Sequence, residues 1–358
     1  MTDQTQLYTG TMAVPERHLF DVAALEAYLK DRLPDFRGPL RVELFKGGQS
    51  NPTYKLITEK RTWAMRAKPG PVAKLLPSAH AIEREYRVLS ALGKTDVPVP
   101  AVYCLCEDES IIGRMFYVME FVEGRVLWDQ SMPGMSNAER GAMYDEMNRV
   151  IAALHSVDHV ALGLADFGKP GNYFARQISR WTKQYQISET EKIPEMDQLI
   201  EWLPKHIPES DETSIVHGDF RLDNMIFDRT QPRVLAILDW ELSTLGHPLA
   251  DFSYHCMSWY IPQEQFRGIG GLDHAAMGIP TWDQYVGMYC RRTGRDPAQV
   301  LEHWDFYLAY NMFRLAAIIQ GIVKRVADGT AANAQAAERA DRVRPLAMRG
   351  WSFAEKLR

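Results

Sequence analysis

One segment combines residue types that can do chemistry together: His217-Gly218-Asp219-Phe220-Arg221-Leu222-Asp223-Asn224. It follows a short apolar run, Ser214–Val216. Fifteen residues after Asn224, a second apolar run (Val234–Leu238) delivers Asp239-Trp240. A carboxylate in a loop, an amide oxygen five residues on, and another carboxylate at the end of the next strand suit phosphoryl transfer. That reaction asks little covalent chemistry of a protein. It needs an oriented acceptor hydroxyl, metal ions on the phosphates and positive charge near the moving group. Asp223, between the candidate ligands, reads as a loop-bracing or surface residue.

The elements that must position this segment come in two styles. Leu40–Phe45, Thr53–Thr58 and Thr62–Ala67 are strand-like runs, the first two separated by the turn-rich KGGQSNP. A helix is expected over 79–92, with Ile82, Tyr86, Leu89 and Leu92 at helical spacing. Ala101–Glu107 and Arg114–Glu120 read as two more strands. After Glu123-Gly124 the pattern turns helical. Ser136-Asn-Ala-Glu139 is a capping box opening a helix with Met143, Met147, Val150, Ile151 and Leu154 on one stripe. Further helices are expected near 173–186, 194–203 and, most clearly, Trp304–Val326; the Ala-rich 331–340 reads as an exposed helix start. The expected organisation is a β-rich lobe over 1–123, a hinge at 119–124, and a helical lobe over 124–358.

Composition narrows the class. The chain has 358 residues, 46% hydrophobic and 24% charged, which excludes a disordered or fibrous chain. A net charge of −5 argues against a general nucleic-acid binder. Four cysteines do not make a disulfide scaffold. The first residues lack the apolar core of a signal peptide, and no apolar run reaches the length of about 18 needed to span a membrane. A cytoplasmic protein with no membrane partner is expected.

The segment HGDFRLDN, with the strand-borne Asp239-Trp240 and the strand–helix order before it, resembles the aminoglycoside phosphotransferase and choline kinase superfamily, distant relatives of protein kinases. The resemblance covers roughly 35–330. It implies an α+β, bilobal, protein-kinase-like fold: a five-stranded antiparallel sheet with one helix, then a mainly helical lobe. It implies Asp219 as the base for the acceptor hydroxyl, Arg221 neutralising the γ-phosphate, and Asn224 and Asp239 holding Mg²⁺ on ATP. His217 and Gly218 would be architectural, and Asp251 would brace the loop. Arg66 would contact the α- and β-phosphates, with Glu85 as its acidic partner. Lys68, on the same strand face by the two-residue period, competes with it. Gly48, Ser50 and Asn51 would lie over the phosphates, and the hinge residues Glu120 and Val122 would offer backbone groups to the adenine.

GGQSNPTY, LPSAHAIEREYRVL, HGDFRLDN and FRLAAIIQGIVKR look like one branch: the kinase-like domain fused to some acyl-CoA dehydrogenases, and its free-standing bacterial relatives. That implies a hydroxyacyl-CoA as the small-molecule acceptor. Residues 253–330 hold seven acids and seven bases, a poor trap for a polycationic aminoglycoside. Arg314, in an otherwise apolar helical run, needs an anionic partner: an internal acid such as Asp251, or a substrate carboxylate or phosphate. Tyr260 and Trp259 are candidates for the same cleft, or plain core. Cys104-x-Cys106 completes no zinc pattern. An antibiotic kinase and a non-catalytic nucleotide-binding module are the alternatives. A protein kinase is disfavoured by the lack of DFG and APE elements.

Overall fold

The computed structural model describes residues 10–46, 51–70, 81–266, 268–329 and 341–357. Its strands, in chain order, are β1 (Thr11–Met12), β2 (Arg41–Phe45), β3 (Thr53–Ile57), β4 (Thr62–Ala67), β5 (Val102–Cys106) and β6 (Phe116–Glu120). Then come β7 (Ser214–Val216), β8 (Met225–Phe227), β9 (Val234–Ile237) and β10 (Thr244–Gly246). The chain divides into two compact units. The first holds the described residues up to Met132 with Asp158–Phe167 and Arg221–Ser243; the second holds Pro133–Val157, Gly168–Phe220 and the described residues from Thr244 on. The division falls within the 217–224 segment.

The first unit is built on an antiparallel sheet ordered β1-β2-β3-β4-β6-β5. Five of its strands sit where alternation and turn residues predict them. The sixth, β1, pairs Thr11 with Phe45 and is too short to carry a pattern. Side chains alternate along a strand, so β4 divides its burial. Trp63, Met65 and Ala67 join Leu25, Leu29 and Phe116 in the core, while Arg66 meets Glu85 on the helix Ile82–Leu92. The helix Val22–Leu29 supplies Leu25 and Leu29; Asp21 caps it by accepting from the Ala23 and Ala24 amides.

Two further contacts in this unit place the candidate metal ligands. The hairpin β8–β9 pairs Met225 with Ile237, and the Ile237 amide donates to the Pro98 carbonyl at 2.9 Å. Just after the expected hinge, Arg125 exchanges backbone hydrogen bonds with Phe227. Gly124 permits that approach: a Cβ there would lie 2.3 Å from the Phe227 carbonyl oxygen.

In the second unit, Ser136 and Glu139 form the expected capping box on the helix Asn137–His155. Helices Tyr173–Ser188, Pro194–Trp202 and Trp304–Ala327 lie where they are expected, and Pro248–Cys256, Trp282–Thr293 and Val343–Glu355 join them. Trp304–Ala327 falls where the helix is expected, yet it is long and apolar enough to cross a membrane although no apolar run is expected to reach that length, because Arg314 and Gln320 interrupt the run without ending the helix. It is buried along most of its length by other helices of its own unit and serves as the core helix. The pair β7–β10 sets Thr244 against Val216, the residue before His217.

Candidate active site

Asp219 sits on a loop whose polar groups are accounted for one by one. Asp251, on the helix Pro248–Cys256, is fully buried and accepts the amides of His217 at 2.7 Å and Gly218 at 2.9 Å. This is the bracing position expected of Asp251. His155 adds a third contact, with Nε2 at 3.3 Å from Asp251 Oδ2 and Nδ1 at 2.8 Å from the Tyr289 hydroxyl. Burial pushes the Asp251 carboxyl up, but the bond and charge of His155, with His217, outweigh it and hold it below its ordinary range. Burial lowers His155. An ionised carboxylate only accepts, so Nε2 carries the His155 proton and Tyr289 donates to Nδ1.

The rest of the loop is held as firmly. Gly218 has a φ of +83°, the left-handed region that glycine enters without strain. Its carbonyl accepts from Arg314 Nη2 at 2.7 Å. The Asp219 amide donates to His217 Nδ1 at 3.2 Å. The Asp219 carboxylate accepts from the Tyr254 hydroxyl at 2.6 Å. Sequence reasoning passed over Tyr254. Its signal was its place three residues after Asp251, on one helix face. The Arg314 guanidinium lies 5.1 Å from the Tyr254 ring centroid, within cation–π range. Burial alone would lower its pKa, but Tyr310, Tyr173, Tyr254 and Asp219 raise it.

In the first unit, Arg66 is the hub. Its Nε is 2.9 Å from Glu85 Oε2, and its Nη2 is 2.7 Å from Asp239 Oδ1 and 3.6 Å from Glu241 Oε2. Burial works against the guanidinium charge, and Glu85 and Asp239 more than restore it. Burial pushes the Glu85 carboxyl up, opposed by Arg66. Glu85 also accepts from Asn51 at 3.0 Å and Tyr117 at 3.3 Å. Lys68 stands apart, 3.3 Å from Glu83. The two candidates from one strand face thus separate: Arg66 joins the cluster holding Asp239, and Lys68 does not.

Asn224 and Asp239 share one end of the β8–β9 hairpin. Met225 pairs with Ile237, and the Leu238 amide donates to the Asn224 carbonyl at 2.8 Å. Asp239 follows with a φ of +65°, a region that Asp enters more readily than most residues. An amide oxygen and a carboxylate are hard donors, a set that fits Mg²⁺ completed by waters and phosphate oxygens. Arg221 pairs with Asp223 at 3.3 Å.

The remaining expected residues fall as follows. Gly48 and Ser50 lie outside the described residues, as does the expected helix start at 331–340. Asn51 is buried, and its amide nitrogen serves the Glu85 carboxylate, because a buried carboxylate needs donors. Glu120 ends β6 opposite Trp63, and its amide donates to the Ala101 carbonyl at 2.7 Å; Val122 follows, half-buried. The Tyr260 hydroxyl accepts from Trp304 Nε1 at 3.0 Å, and burial raises its pKa. Trp259 donates to the Pro280 carbonyl at 2.9 Å. All four cysteines are unpaired.

Comparison with known proteins follows the same lines. A model of the phosphotransferase enzyme family matches residues 41–312. Mouse acyl-CoA dehydrogenase family member 10 is 47% identical over 349 residues, covering 97% of this chain and 32% of that protein. The chain spans between about a third and a half of the length of the curated relatives it matches. A crystal structure from Ralstonia eutropha, assigned by name as an aminoglycoside phosphotransferase, is 62% identical with a TM-score of 0.86, covering 94% of this chain and 99% of that one. A thermostable variant of aminoglycoside phosphotransferase APH(4)-Ia, solved with ADP and hygromycin B, matches at TM-score 0.59 and 14% identity, over 93% of this chain and 98% of that one. That last likeness is one of fold. With its antiparallel sheet, its helical remainder and its HGDFRLDN loop, the chain belongs to the phosphotransferase enzyme family and has the family's kinase-like α+β fold.

Proposed function

We propose that the chain is an ATP- and Mg²⁺-dependent kinase that phosphorylates a hydroxyl of a small molecule, a hydroxyacyl-CoA. The observation that carries the reading is the Asp219 loop, in which a carboxylate is oriented by its neighbours and each flanking amide has a partner. Family membership supports phosphoryl transfer as the reaction class.

In this mechanism Asp219 takes the proton of the acceptor hydroxyl as that oxygen attacks the γ-phosphorus of ATP. The bond from the γ-phosphorus to the bridging oxygen breaks, and ADP leaves with the electron pair. A phosphate ester, ADP and one proton result. Arg221 balances the charge on the transferring group. Arg66, held by Glu85, binds the α- and β-phosphates. The loop with Gly48, Ser50 and Asn51 covers them, and the backbone at Glu120 and Val122 meets the adenine. Asn224 and Asp239 would hold Mg²⁺, which supplies charge neutralisation on the phosphates.

The acyl-CoA dehydrogenase names of the curated relatives support an acyl-CoA acceptor. The balance of seven acids and seven bases over residues 253–330 also favours it over a polycation. The name of the Ralstonia structure keeps an aminoglycoside as the second reading. The unpaired cysteines support a cytoplasmic setting. The test is ADP release with hydroxyacyl-CoAs, aminoglycosides, choline and sugars as acceptors. A hydroxyacyl-CoA should give the fastest release. Faster release with an aminoglycoside would overturn the acceptor assignment, and nucleotide binding with no release would favour a regulatory module.

A further inference from the structure

We propose that Tyr254 is a positioning residue for the Asp219 carboxylate, and that Arg314 holds the tyrosine in place. The inference rests on Asp219 being the proton acceptor proposed above.

Tyr254 and Asp251 lie one turn apart on the helix Pro248–Cys256, and they divide the loop between them. Asp251 takes the backbone amides of His217 and Gly218. Tyr254 takes the Asp219 side chain, with its hydroxyl donating to Oδ1 at 2.6 Å. That length belongs to O–H bonds made to a charged oxygen. The amide bonds fix where the Asp219 backbone runs, but a carboxylate can still turn about its side-chain torsions. A bond to Oδ1 restricts how the carboxylate turns about those torsions. A general base works only within hydrogen-bond reach of its proton, and small errors of placement are costly.

Tyr254 must itself be immobile to do this, and Arg314 provides that. Its guanidinium covers the Tyr254 ring at 5.1 Å while Nη2 bonds the Gly218 carbonyl at 2.7 Å. One planar cation therefore touches both the tyrosine that orients Asp219 and the peptide that precedes it. Tyr254 and Arg314 are both buried, so this arrangement is part of the interior rather than a surface contact.

Tyr254→Phe removes one oxygen and keeps the ring under Arg314. It is tested in the full chain with ATP and the acceptor giving the fastest ADP release, beside Asp219→Asn. Tyr254→Phe should lower kcat about tenfold to a hundredfold, while KM for ATP and acceptor stays within about twofold and the thermal midpoint holds. Arg314→Lys keeps a charge and loses the planar stack, and should show the same split at smaller size. A Tyr254→Phe kcat equal to wild type beside an inactive Asp219→Asn would overturn this inference alone. So would a loss matched by a lower thermal midpoint and raised KM values, the mark of a structural role. An active Asp219→Asn, or no ADP release with any acceptor, would instead remove the base reading on which it rests.

Discussion

Asp219 and Arg66 meet their partners in opposite ways. Around Asp219, backbone groups do much of the bonding: two loop amides on Asp251, one on His217, and the Gly218 carbonyl on Arg314. Around Arg66, charged side chains face one another, with Glu85 and Asp239 both within 3 Å. A backbone held by buried hydrogen bonds has one arrangement. Ion-paired side chains have several, because an anion of similar geometry can replace a carboxylate. The difference suggests a division of labour. If Asp219 serves the acceptor and Arg66 the nucleotide, as proposed, the acceptor loop is organised before substrate arrives, and phosphates must compete with Asp239 for Arg66.

The largest test of that contrast is Asp251→Ala. It strands the His217 and Gly218 amides and His155 in a buried site, and should cost about 3–5 kcal/mol in urea unfolding. A loss under about 1 kcal/mol would show that the loop is not held from this helix.

Acid titration comes next. Burial lowers His247 and His255, both in the second unit, to about 4 in the folded state. Unfolded, each returns to near its ordinary value of 6.5 and binds a proton more readily. Their contribution is therefore full above 6.5 and is lost as pH falls from 6.5 through about 4, by up to about 3 kcal/mol each. Asp251, held below its ordinary range, adds its loss only at lower pH. Unfolding midpoints that stay flat from pH 7 to 4 would contradict the buried neutral imidazoles.

Arg66→Met should raise the ATP KM about tenfold to a hundredfold, with a smaller change in kcat. Calorimetric titration with a non-hydrolysable ATP analogue reads the affinity directly. An unchanged affinity would break the contrast from the nucleotide side. The smallest effect is expected from Gly218→Ala, where a Cβ at a φ of +83° costs about 1–2 kcal/mol. Thermal melting reads it, and a neutral result would show that the loop relaxes where the hydrogen bonds imply it does not.

Much of this site was legible from residue types and spacing. HGDFRLDN and Asp239 stand out by residue type and spacing, whereas the brace at Asp251 and the pairing of Arg66 with Glu85 come only from the family resemblance; both contacts are present in the structure. Tyr254 was not legible, since a tyrosine on an apolar helix is ordinarily packing, and only the fold brings its hydroxyl to Asp219. Asn51 shows a related limit: a loop Asn near glycines reads as a phosphate cap, and its donation to the buried Glu85 carboxylate shows only in the fold. Arg314 was noticed as a cation needing a partner. Its guanidinium meets a carbonyl and a ring rather than Asp251, whose oxygens face the loop amides and His155. The two compact units are not contiguous in sequence, and a composition shift near residue 124 has no means of signalling that Arg221–Ser243 packs with the first unit.

In the proposed reaction Asp219 delivers an acceptor oxygen to the γ-phosphorus of ATP. Mass spectrometry of a hydroxyacyl-CoA incubated with the chain, ATP and Mg²⁺ tests it most directly. One phosphoryl group should be added per acceptor, in step with ADP, with no such product from Asp219→Asn. ADP formed while the acceptor keeps its mass, or equal product from the Asn variant, would contradict it.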